Sequence, residues 1–291
     1  MTPPTVSQLI ASTADQLTAA GVQFGHGTTN AHDEAAWLVL HALGLPLDTD
    51  IDGFESNQPL ALEPLARAAS LLRARIDTRK PLAYLTGEAW LQGVPFTVDE
   101  RVIIPRSLIA ETIADGSIDP WLSNQTQRVL DLCTGNGSLA VLAAMAWPDV
   151  QVDAADISRD ALDVALLNVR RHALTPRIRL IESDGLTTCE GPYDLVLCNP
   201  PYVNAESMAT LPAEFRAEPA LALAGGADGM DFVRQLLRDL PSRLSPHGVL
   251  VLEIGHERAH FEAAFPRLNP VWLDTSAGGD DVLLLTRKNL A

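Results

Sequence analysis

From Gln127 onward the chain alternates strand-like and helix-like segments, and this alternation limits the fold more than any other feature of the sequence. RVLDLCTG (128–135) is a short apolar run ending in glycine, and SLAVLAAMAW (138–147) after it reads as a helix. QVDAADIS (151–158) reads as a strand and ALDVALLNVRRHAL (161–174) as a helix. IRLIESD (178–184) and YDLVLCN (193–199) are further strands, MDFVRQLLRDLPSRL (230–244) a helix and GVLVLEIG (248–255) a strand. Strands alternating with helices imply an α/β fold with a mostly parallel sheet covered on both faces. The last two β-like runs, VWLDT (271–275) and DVLLLTR (281–287), are joined too tightly for a crossover. They must pair antiparallel, so one terminal strand runs against the parallel set.

The N-terminal part has a different rhythm. Thr5 followed by Gln8 is a capping-box pattern ahead of Leu9, Ile10 and Leu17. Asn30 can cap a helix running through Ala35, Trp37, Leu38 and Leu40. Leu65, Ala69, Leu72 and Ile76 recur at helical spacing within 60–76. The stretch 80–105 holds two glycines, β-formers and prolines and reads as short strands forming a hairpin. These patterns predict a helical domain at 1–80, a β-hairpin linker at 81–106 and a catalytic domain at 107–291. Trp90 and Phe96 of the linker are expected in a core.

Hydrophobic residues make up 47% and charged residues 20% of the 291, which excludes a disordered chain. No apolar run approaches the roughly 18 residues that span a bilayer, so no membrane partner is expected. MTPPTVSQLIAS has neither a basic n-region nor a long apolar h-region, so no signal peptide is expected there. The net charge of −16, with only two lysines, Lys80 and Lys288, opposes direct binding to a phosphate backbone. A basic macromolecule or a small molecule suits it better. Cys133, Cys189 and Cys198 form no CxxC pair, no metal-ligand cluster is evident, and a reducing cytoplasm is the expected compartment.

Asp131-Leu132-Cys133-Thr134-Gly135-Asn136-Gly137 closes one strand and opens a helix. Glycines at such a junction let the backbone turn tightly and approach a ligand, and the helix start lends partial positive charge. Ala140 stands where a dinucleotide fingerprint has its third glycine. Asp156 ends the next strand, where an acidic side chain accepts hydrogen bonds from two ribose hydroxyls. The pair selects an adenosine-type nucleotide or nucleoside. The Asp131 carboxylate would repel a pyrophosphate and suits the ammonium of a methionine moiety, which favours S-adenosylmethionine.

Asn199-Pro200-Pro201-Tyr202 follows the fourth strand, on the side of the sheet where ligands bind. The Asn199 side-chain oxygen and the Pro200 carbonyl can accept the N–H bonds of a planar amide or amine. That aims the nitrogen lone pair at a methyl donor, Tyr202 can stack on the flat group, and the prolines fix the acceptors. In-line transfer from a sulfonium then depends mainly on positioning, with no metal required.

With these residues in place, PLAYLTGEAWLQGVPFTVDERVIIPRS, VLDLCTGNGSLAV, DAADIS and YDLVLCNPPYV resemble the glutamine methyltransferase family that modifies the translation machinery. The likeness covers nearly the whole chain. It implies a Rossmann-like, seven-strand S-adenosylmethionine-dependent methyltransferase domain with its last strand antiparallel, behind a helical domain and a β-hairpin linker. The implied cofactor site comprises Cys133, Thr134, Gly135, Asn136, Gly137, Asp156, Asp184, Gly185 and Asn199, beside the Asp131 argued above. Asn199, Pro200 and Tyr202 would be catalytic, and Asn199, Pro200, Pro201 and Tyr202 would hold the substrate glutamine. Pro105-Arg106-Ser107-Leu108-Ile109-Ala110-Glu111 and the run 211–231 are similar to the branch acting on ribosomal protein uL3. The release-factor branch typically carries Pro-Arg-Pro-Glu-Thr-Glu instead. Leu108 and Asn136 depart from the usual residues without removing a group the chemistry needs. Basic ribosomal proteins suit an acidic enzyme through electrostatic steering.

Arg106 is open to three roles: closing over the cofactor, contacting the substrate backbone, or forming a surface salt bridge. Glu253 is expected to be a structural hydrogen-bonding group, and Cys133 and Cys198 small buried apolar residues. Three rivals stand beside the uL3 reading: release-factor specificity, an adenine-amino methyltransferase of DNA or RNA, and a ribosome-assembly factor without turnover.

Overall fold

The computed structural model describes residues 3–51, 53 and 59–290. They divide into two compact units, Met1–Glu88 with Pro212–Ala217, and Ala89–Leu211 with Glu218–Ala291. The short segment 212–217 thus joins the first unit from deep within the second unit's sequence, which no local pattern signals.

In the first unit, α1 (Val6–Ala19) opens on the expected capping box, the Thr5 hydroxyl accepting from Gln8 N and the Gln8 side chain from Thr5 N. Asn30 caps α2 (Ala31–Leu43) by accepting from Asp33 N at 2.9 Å, and Gly44 ends that helix in the left-handed region. In α3 (Leu62–Thr78) the buried stripe is Ala68, Leu72 and Arg75, so the expected stripe of Leu65, Ala69, Leu72 and Ile76 is displaced around the helix. The reason is an ion network. Arg75 is fully buried; its Nε donates to Glu34 at 2.7 Å, its Nη2 to the Gln23 carbonyl at 2.8 Å, and Nη1 lies 3.5 Å from Glu214. Burial pushes the Glu34 carboxyl up, against the pull of Arg75.

The predicted linker is part helix. Residues Leu82–Thr86 form α4, started after Pro81 and stopped by left-handed Gly87. The two-stranded sheet begins only at β1 (Glu88–Leu91) and ends with β2 (Val94–Thr97). Phe96 is fully buried, whereas Trp90 is exposed.

The second unit continues with α5 (Ile109–Ala114), β3 (Arg128–Leu132), α6 (Ser138–Ala146), β4 (Gln151–Asp156), α7 (Arg159–Arg171), β5 (Ile178–Glu182) and β6 (Tyr193–Cys198). It ends with α8 (Ala205–Thr210), α9 (Asp231–Asp239), β7 (Leu244–Glu253), α10 (Arg258–Ala264), β8 (Val271–Thr275) and β9 (Gly278–Thr286). The sheet order is β5-β4-β3-β6-β7-β9-β8, parallel from β5 to β7, with β9 antiparallel to both neighbours. The central strands are buried at most positions because both faces are covered. Val129, Val152 and Leu195 pack in one core with α6, while Leu130, Val196 and Leu250 pack in another with Val233, Leu236 and Leu237 of α9. α9 stops at Asp239, short of the expected 244, because Pro241 cannot continue it.

Candidate active site

β3 has β4 on one side and β6 on the other, so the winding direction of the sheet reverses at this strand. In open α/β sheets the crevice beyond the carboxyl ends at such a point is the ligand site. A crevice of about 720 Å³ opens there. That is within the roughly 300–1,000 Å³ usual for small-molecule sites. Cys133, Gly135, Asp156, Asp184, Gly185 and Asn199, all expected to touch a cofactor, form part of its wall.

The glycine turn is built in two layers. Gly135 and Cys133 face the crevice, both with left-handed backbone, φ +56° and +61°. Asp131, Thr134, Asn136 and Gly137 lie behind them and do not line the crevice. Asp131 is fully buried behind the turn. One of its oxygens accepts from the Thr134 hydroxyl at 2.5 Å and from Ala140 N at 2.9 Å, tying the strand end to the first turn of α6. Its other oxygen is buried without a hydrogen-bond partner among the described residues. Burial, stronger than these hydrogen bonds, pushes its carboxyl up to about 7. The Asn136 carbonyl accepts from Asn168 at 2.9 Å. At Gly137 an added Cβ would lie 3.2 Å from the Ala165 Cβ, so this glycine serves the close packing of α6 on α7.

Asp156 is half-buried at the end of β4. One oxygen accepts from Gly135 N and the other from Ser158 N, each at 2.9 Å. A carboxylate offers about four acceptor positions. Those left over can take hydroxyl donors from the crevice, the chemistry of a ribose. Burial raises the Asp156 pKa against those backbone hydrogen bonds. Asp184 is exposed at the crevice edge beside Gly185, and exposed Ile157 offers an apolar surface next to Asp156. These donors, acceptors and apolar surfaces fit a nucleoside with a polar tail.

Asn199, Pro200, Pro201 and Tyr202 front the same crevice from the end of β6. The Asn199 side chain lies half-buried there and receives no hydrogen bond from the described residues. Tyr202 points its hydroxyl to Glu253 Oε1 at 3.3 Å. Arg106 lines the crevice but is held in a two-pronged pair with Glu218, at 2.6 and 2.8 Å. Glu218 also accepts from Ile104 N at 2.9 Å. Its buried carboxylate thereby fixes the start of the segment 219–224, which closes one side of the crevice and was not foreseen from sequence. Neither Phe232 nor Gln235 of α9, nor Ile103, carried a local signal of its place in the wall. Cys198 is buried, Cys133 only half so, and all three cysteines are free.

A seven-strand sheet with an inserted antiparallel β9, an acid closing β4 and an Asn-Pro-Pro-Tyr turn closing β6 defines a methyltransferase. Residues 118–226 match the family model described as the methyltransferase small domain. The ribosomal protein uL3 glutamine methyltransferase of Bordetella pertussis is 54% identical over 98% of this chain and 96% of its own length. That of Neisseria meningitidis serogroup B is 47% identical over 98% and 94%. The chain belongs to the uL3 glutamine methyltransferase family. Among solved structures, the hMettl16 catalytic domain in complex with a MAT2A 3'UTR hairpin shares the fold, with TM-score 0.53 and 16% identity, over 77% of this chain and 80% of that one.

Proposed function

We infer that this chain transfers a methyl group from S-adenosylmethionine to the side-chain amide nitrogen of a glutamine in ribosomal protein uL3. The observation that carries the reading is the shared crevice: the Asn199 amide and the Asp156 carboxylate front one cavity, between them spanning β6, β3 and β4. S-adenosylmethionine, when bound, supplies a methyl group on a sulfonium centre. Asp156 would hold the ribose hydroxyls, with the Gly135 turn and Asp184 at either end of the nucleoside. Asn199 Oδ1 and the Pro200 carbonyl would accept the two N–H bonds of the glutamine amide and aim its lone pair into the crevice. Fixed acceptors of this kind lower the barrier because they need no reorganisation during the reaction. The names of the relatives support uL3 as the substrate, and a basic ribosomal protein complements a chain of net charge −16.

The test is labelled methyl transfer to purified uL3 and, in parallel, to release factors, with the modified residue mapped by mass spectrometry. The expected result is one methyl on a glutamine of uL3 and none on the release factors. Asn199→Ala should abolish transfer while cofactor binding is weakened but retained by calorimetry. Wild-type transfer by that variant would defeat the assigned role of Asn199.

A further inference from the structure

Behind Tyr202 lies a buried carboxylate that does not reach the crevice. Glu253 ends β7, is 3% exposed and forms no part of the crevice wall. Its Oε2 accepts from the Ser107 hydroxyl at 2.6 Å and from Leu108 N at 2.9 Å. Ser107, itself buried, accepts in turn from Ile109 N at 3.3 Å. Oε2 is thereby committed to the start of α5. The other oxygen, Oε1, accepts from the Tyr202 hydroxyl at 3.3 Å. Burial, with the Glu253 charge adding to it, pushes the Tyr202 phenol well above its ordinary range, so the phenol stays protonated and donates.

Tyr202 is enclosed as well as tethered. A Cβ at Gly255 would lie 2.6 Å from its ring, and one at Gly229 would lie 2.3 Å from its carbonyl oxygen. The ring rests on bare backbone just beyond β7, two residues past the carboxylate that holds its hydroxyl.

We propose that Glu253 is a positioning residue for methyl transfer, using its two oxygens to lock the Tyr202 ring to the Ser107–Ile109 segment. The proposal rests on the reading of Asn199–Tyr202 as the transfer site. A carboxylate is rigid and planar, so fixing Oε2 fixes where Oε1 can receive the phenol. Tyr202 forms one wall of the place assigned to the glutamine amide, and its ring then has one orientation available. A purely structural Glu253 would stabilise α5 and leave turnover unchanged once the protein is folded.

The experiment measures steady-state methyl transfer to purified uL3 by Tyr202→Phe, Glu253→Gln and the double variant, with cofactor binding by calorimetry. Glu253→Gln can turn its amide oxygen to Ser107 and Leu108, so the start of α5 keeps an acceptor. Each single variant should lower kcat about tenfold, with cofactor affinity within about twofold of wild type. Because both act through one contact, the double should be no slower than Glu253→Gln alone. Losses that multiply in the double, to about a hundredfold, would overturn the proposal. Wild-type kcat in Glu253→Gln would do the same. Should Glu253→Gln fail to fold, Ser107→Ala combined with Tyr202→Phe completes an equivalent cycle, with the same two outcomes. Asn199→Ala, assayed alongside, separates the two layers. If it is inactive while the Tyr202 and Glu253 variants keep full kcat, the positioning role alone fails. If it too is fully active, the assigned transfer site fails with it.

Discussion

At the residue scale, Asp131 makes its own pH experiment. Its carboxyl sits near 7 because burial outweighs the hydrogen bonds from Thr134 and Ala140. In the unfolded chain it ionises near 3.9. Between those values the unfolded state releases a proton that the folded state keeps, so stability attributable to Asp131 is full below about pH 4 and is lost as pH rises through about 7. Asparagine reproduces the protonated form: its oxygen can accept from Thr134 and Ala140 N, and its NH₂ takes the place of the oxygen without a partner. Asp131→Asn should therefore gain stability relative to wild type as pH increases from 4 to 7, read from urea midpoints across that range. A pH-independent difference would mean that Asp131 is ionised throughout. The carboxylate before the glycine turn was legible in sequence, but its bonds to Thr134 and Ala140 were not, because they depend on side-chain rotation, which strand and helix patterns do not encode.

At the scale of elements, the join between α6 and α7 is set by Gly137. The residue has φ +81°, and an added Cβ would meet Ala165 at 3.2 Å, closer than ordinary van der Waals contact. Gly137→Ala should cost about 1–3 kcal/mol in urea denaturation, from the left-handed backbone together with the contact. An unchanged midpoint would mean that the two helices can separate at no cost. The alternation of strands and helices from 128 to 253 could be read from apolar runs and glycine stops because each element declares itself locally. Other features depend on partners far away in sequence. The short connection after Thr275 required β8 and β9 to be antiparallel, but only packing decides that β9 inserts between β7 and β8. Leu82–Thr86 looked strand-like because its neighbours are prolines and glycines, yet those residues delimit a helix. Arg75 fell outside the predicted apolar stripe of α3 because hydrophobic periodicity cannot anticipate a buried ion network. The crevice was half legible on the same grounds. The turns at the ends of β3, β4 and β6 carry their own signals, whereas the segment 219–224 and the facing residues of α9 carry none.

At the scale of the whole molecule, the net charge of −16 acts on encounter with a basic substrate. Raising salt from roughly 0.05 to 0.5 M shortens the screening length from above 10 Å to a few ångströms. The kcat/KM for uL3 should fall steeply over that range, while cofactor affinity by calorimetry should change little. A flat kcat/KM would assign substrate capture to apolar contacts instead. The segment 212–217 has a consequence of another kind. Glu214 within it is buried, accepts from Gln23 N at 3.1 Å and lies within 3.5 Å of both Arg75 and Arg79. The helical unit is thus encoded in two separate stretches of the gene. Replacing 1–88 alone with the corresponding part of a relative would give Glu214 foreign neighbours, and cutting the chain before Ala89 would leave a buried acid without its arginines. Recombination among relatives can exchange this unit intact only when both stretches travel together.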